Sequence, residues 1–103
     1  MVIVTGTVHA RADAIDEVLA LSREHVARSR TEPGCLEHGV AFDADDPLHL
    51  IFFERWADRA EIGAHMKLPA SREFGKRLLA LVDRPPTLNL YDASDVTPMK
   101  AMP

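Results

Sequence analysis

Residues 48–56 read LHLIFFERW, and no other stretch restricts the possible folds so sharply. Alternation puts Leu48, Leu50, Phe52, Glu54 and Trp56 on one side of a strand, with His49, Ile51, Phe53 and Arg55 on the other. Both sides carry large apolar groups, so a sheet built on this strand needs cover on two faces. Residues 2–9 (VIVTGTVH) form a second β-branched run of the same kind. Gly6 interrupts it and marks a bulge or a close approach to the backbone.

Between these runs the period changes. Ile15, Val18, Leu19, Ser22, Val26 and Ser29 fall on one helical stripe within residues 12–30, with acidic groups early and Arg28 and Arg30 late. Thr31-Glu32-Pro33-Gly34 stops the helix. Residues 35–43 (CLEHGVAFD) alternate as a strand, with Leu36, His38, Val40 and Phe42 on one side. The Asp43–Pro47 turn joins them to 48–56 as an antiparallel hairpin. Asp58 and Glu61 then make a capping box for a short helix over 59–67. Pro69 opens another helix, with Phe74, Leu78, Leu81 and Val82 as its stripe. Arg84-Pro85-Pro86 ends it, residues 87–91 form a last strand, and a polar tail follows.

The order is β-α-β-β-α-α-β, the split βαβ arrangement of an α+β, ferredoxin-like fold with a four-stranded antiparallel sheet. One domain over residues 1–92 and a tail over 93–103 suit a chain of 103 residues. Helices cover one sheet face, and a second copy of the chain is the simplest cover for the other. A homodimer, closing as a dimeric α/β barrel, is therefore expected. Met99 and Met102 in the tail are candidate apolar anchors on the partner.

The formal charge of −4 with scattered basic residues argues against nucleic-acid binding. No apolar run approaches the ~20 residues that span a bilayer, and the opening Met1-Val2-Ile3-Val4 is unlike a signal peptide. A cytoplasmic location away from membranes is expected. Cys35 is the single cysteine, which rules out an internal disulfide and a cysteine-based zinc site. The five histidines (His9, His25, His38, His49 and His65) show no i, i+4 pair and no His-x-His spacing, so no metal is expected. No glycine-rich phosphate loop is present.

Glu32-Pro33-Gly34-Cys35-Leu36, Asp46-Pro47, Phe53-Glu54-Arg55-Trp56, Asp58-Arg59-Ala60 and Ala64-His65, in this order and spacing, resemble the antibiotic-biosynthesis-monooxygenase family over roughly residues 2–91. The resemblance implies a pocket between sheet and helices, with Trp56 and His65 near it. It also implies an activity like that of cofactor-free quinol and polyketide monooxygenases, which let molecular oxygen react with an electron-rich aromatic. The heme-degrading relatives fit poorly, because the first strand has no Asn and no His follows His65. Pro69-Ala70-Ser71 also departs from the quinol-type pattern, which has a His after that proline.

On this reading the protein is a cofactor-independent monooxygenase acting on a small aromatic or quinol-like substrate. His65 is the first choice of base, since an imidazole titrates near neutral pH. Trp56 would orient the substrate ring. His38, Glu54, Phe52 and Phe74 complete the expected pocket. Each has a plainer alternative: Trp56 capping the core, His65 bonding a nearby carboxylate, Glu54 paired structurally, His38 satisfied inside. Rival functions are a non-catalytic dimer binding a small hydrophobic molecule, or a non-oxidative isomerase, cyclase or decarboxylase of the same fold.

Overall fold

The computed structural model describes residues 1–97, so Met99 and Met102 lie outside the described residues. Its elements are β1 (Val2–His9), α1 (Ile15–Ser29), β2 (Cys35–Asp43), β3 (Asp46–Trp56), α2 (Arg59–Lys67), α3 (Pro69–Leu79) and β4 (Thr87–Asp92). The strands form one antiparallel sheet in the order β2-β3-β1-β4. This is the expected α+β, ferredoxin-like architecture.

The differences from expectation have local causes. Residues Ala12–Ala14 make a 3-10 turn before α1 begins. Arg11 shapes that turn by donating to Asp13 and, at 2.5 Å, to the Ala80 carbonyl. β3 begins two residues early, at Asp46, whose carboxylate accepts the Leu48 N–H at 2.9 Å. α3 ends at Leu79, before Leu81 and Val82, although both still pack against the core. Val82 instead bridges to Ala10. A bulge between Cys35 and Glu37 takes Leu36 out of register and leaves it exposed.

Alternation is strict along β1, where Val2, Val4, Gly6 and Val8 are buried beneath the helices. No bulge occurs at Gly6. A Cβ there would meet the Thr87 carbonyl oxygen at 3.2 Å and Phe52 Cβ at 3.6 Å, so close approach of the neighbouring strands is the reason for the glycine. One core cluster gathers Val8, Val18, Val26, Leu50, Phe52 and Leu78; a second gathers Val2, Val4, Trp56 and Ile62. On the opposite sheet face Ile51, Phe53 and Tyr91 stand exposed.

Two turns set the entry to the site. Gly34 follows α1 with φ +79°, a conformation in which a side chain is strained. Its carbonyl accepts from Ala57 N–H at 2.8 Å, tying the end of α1 to the end of β3. Asp58 then caps α2 by accepting from Glu61 N–H at 2.9 Å. The Glu61 side chain lies against Gly34, where an added Cβ would come within 2.4 Å of Glu61 Cγ.

Candidate functional site

Three elements point histidines at one another. His25 comes from the buried side of α1, His38 from β2 and His65 from α2. All three are buried, and one ring nitrogen from each lies within 4.8 Å of the others. Trp56, at the end of β3, lies with its ring centre 4.6 Å from that of His65. Phe74 of α3 stacks on His25 at 4.1 Å.

Carboxylates hold this cluster from two sides. Glu32, in the turn after α1, lies with Oε1 2.7 Å from His65 Nδ1. A carboxylate accepts, so Nδ1 carries a proton, and in the neutral imidazole the lone pair is then on Nε2. Glu54 faces His38 directly across the β2–β3 pair. Its Oε1 accepts the Trp56 indole N–H at 2.9 Å and lies 3.3 Å from His38 Nε2. That second contact is in ion-pair range without hydrogen-bond alignment, and neither ring nitrogen of His38 has a hydrogen-bond partner among the described residues.

The electrostatics follow from this packing. Burial pushes the Glu54 carboxyl up, but the His38 imidazole, the Trp56 N–H and His65 outweigh it and hold its pKa below the ordinary value. Burial, together with His38, His65 and the Arg28 charge, pushes His25 down to about 3. An Arg28 N–H lies 2.8 Å from His25 Nδ1. Because a guanidinium only donates, His25 is neutral with its proton on Nε2.

A cavity of about 370 Å³ opens beside the cluster. Val4, Gly6, Val8 and Phe52 form its sheet side; His25, His65, Met66, Phe74 and Leu78 form its helix side. Glu54 and Ser71 also line it. The Ser71 hydroxyl, in the first turn of α3, has no hydrogen-bond partner among the described residues. This is an apolar chamber with a few convergent polar groups, the usual character of a small-molecule site.

Of the residues singled out from the sequence, His65, Glu54, Phe52 and Phe74 line this cavity. Trp56 and His38 stand behind them, fully buried, and the Trp56 N–H is committed to Glu54. His25, Glu32 and Ser71 were not among those residues. His25 lies four residues after Leu21 and three after Ser22, both buried on α1, and that spacing was the available signal.

Fold and site together define a ferredoxin-like domain with a half-open, largely apolar pocket edged by histidine and carboxylate. The chain belongs to the antibiotic biosynthesis monooxygenase family, whose model matches residues 1–77. A crystal structure described as an antibiotic biosynthesis monooxygenase is similar, with 34% identity and a TM-score of 0.85, over 92% of this chain and 100% of that one. Rv0793 from Mycobacterium tuberculosis is 25% identical with a TM-score of 0.87, over 93% and 97% of the two chains. The uncharacterised protein sll1783 of Synechocystis sp. is 29% identical over 94 residues; the match covers 91% of this chain and 64% of that longer protein. Among the described residues, no helix is long and apolar enough to cross a membrane.

Proposed function

We propose that the protein is a cofactor-independent monooxygenase for a small phenolic or quinol-like aromatic, with His65 as its base. The observation that carries this reading is the Glu32–His65 pair at 2.7 Å on the wall of an apolar cavity. Glu32 fixes the tautomer, orients the ring and stabilises the imidazolium once His65 has taken a proton. Deprotonation is the step oxygen chemistry needs, because a phenolate gives an electron to oxygen far more readily than a phenol. One oxygen atom then enters the ring carbon as the quinone carbonyl, and the other leaves as water. The apolar walls supply desolvation and orientation. Trp56 acts from behind, by holding His65 in place.

The proposal includes a homodimer, supported by the exposed Ile51, Phe53 and Tyr91 on the sheet face without helices. The test is oxygen uptake by chelator-treated protein with a panel of hydroquinones and polyphenols, beside His65→Ala. Protein-dependent uptake that is lost in the variant supports the reading. Uptake unchanged in His65→Ala removes His65 from the mechanism, and no uptake with any substrate removes the oxygenase assignment.

A further inference from the structure

We propose that His25, His38 and His65 form a binding site for a divalent transition-metal ion that favours nitrogen ligands, of the class of Zn²⁺, Co²⁺ or Ni²⁺. Three imidazoles from three elements are the donor set such ions select, whereas Mg²⁺ and Ca²⁺ favour oxygen. One nitrogen from each ring already lies within 4.8 Å of the others. With metal–nitrogen bonds of about 2.0–2.1 Å, tetrahedral ligand atoms lie roughly 3.3 Å apart, so each pair of ring nitrogens closes by about 1.5 Å at most.

His38 is the strongest pointer. Its side chain is wholly buried; Nε2 has only the poorly aligned Glu54 Oε1 at 3.3 Å, and Nδ1 has no hydrogen-bond partner among the described residues. A buried polar group left so is costly, and an ion supplies the partner. His65 is prepared in the usual way for a metal ligand: its Nδ1–H is held by Glu32 and its Nε2 is left to bind. Glu32 and Glu54 place two carboxylates beside the trio, enough to offset a double positive charge. The cavity reaches His25 and His65, which gives the ion a route and a water a place as fourth ligand.

One contact opposes binding. The Arg28 guanidinium occupies His25 Nδ1 at 2.8 Å and would repel a cation. Arg28 is half-buried on α1, and binding requires it to turn outward and release that nitrogen. The site stands on this geometry and does not rest on the oxygenase reading. An ion held there takes the His65 lone pair, so the filled site and the catalytic base are alternatives.

The experiment is a titration of chelator-treated, substrate-free protein with Co²⁺, read by its visible ligand-field bands and by displacement with Zn²⁺. The expected result is one ion per chain. Glu32→Gln weakens binding roughly 10–100-fold, as loss of an outer-shell partner does, and His38→Gln weakens it at least as much. Arg28→Gln strengthens it, a gain that a merely structural histidine cluster does not predict. Circular dichroism checks each fold, and His25→Gln replaces His38→Gln if the latter does not fold. Absence of stoichiometric binding by the unaltered protein overturns the proposal. So does binding unchanged in folded His38→Gln or His25→Gln.

Discussion

The indole N–H of Trp56 donates to Glu54 Oε1 at 2.9 Å, two residues back along the same strand and inside the protein. Behind the larger effect of the His38 imidazole, this bond helps to hold the carboxyl pKa below its ordinary value where burial alone would raise it. Trp56→Phe removes the indole donor and leaves the carboxylate with His38 alone beside it, an expected cost of about 1–3 kcal/mol with a further loss from packing. Urea denaturation measures it. Adding Glu54→Gln to Trp56→Phe should cost less than the sum of the two single changes, because the residues share one interaction.

In the proposed mechanism Glu32 acts through His65. Glu32→Gln keeps the shape and removes the charge that stabilises the imidazolium, so kcat should fall about tenfold or more while KM changes little. His65→Ala should lose the full contribution of a general base, roughly 10²–10⁴-fold. Initial rates of oxygen uptake separate these expectations, with circular dichroism unchanged in both variants.

Gly34 predicts a stability effect outside the chemistry. Gly34→Ala places a Cβ at positive φ and drives it against Glu61 Cγ and Cβ, closer than real Cβ atoms approach, so the backbone or Glu61 must shift. Backbone strain of this type costs about 1–3 kcal/mol, and the clash adds to it. The midpoint of urea unfolding should drop accordingly.

Phe53 tests the uncovered sheet face. Phe53→Glu puts a charge where a second copy would pack, and sedimentation should show the dimer shifted toward monomer. The helix face and the cavity are untouched by the change. An unaltered protein that sediments as a monomer would remove the dimer from the proposal.

Cys35 should be a slow thiol. Burial and the carboxylates of Glu54 and Glu32 raise its pKa above the ordinary thiol value. A raised value means that the proton is retained through neutral pH, and the thiolate is the reactive form. Alkylation should accelerate only at a pH above the range in which ordinary thiols ionise. The linked stability is fully present below the unfolded thiol pKa and is lost as pH rises through the folded one.

Much of this fold is written in local patterns. The hairpin over 35–56 and the stop at Pro33-Gly34 depend on residues close in sequence, so periodicity and turn chemistry reveal them. Phe52, Glu54, Phe74 and His65 were legible as pocket residues because each sits on a visibly apolar face or within a family motif. The histidine cluster was not, since its members come from α1, β2 and α2 and share no spacing. His25 was hidden among charged neighbours on its helix, Arg23 and Glu24. Glu32 reads as part of a helix stop, yet its partner is His65, 33 residues away. Only the completed sheet and helix layer brings such pairs together.

The cavity floor at Gly6 has no side chain to rotate. Adjacent main chain and Phe52 already stand near the position of its missing Cβ. Room for an occupant at that one point is thus set by main chain and does not change with any rotamer of residue 6, whereas the rest of the wall is made of side chains from both sheet and helices.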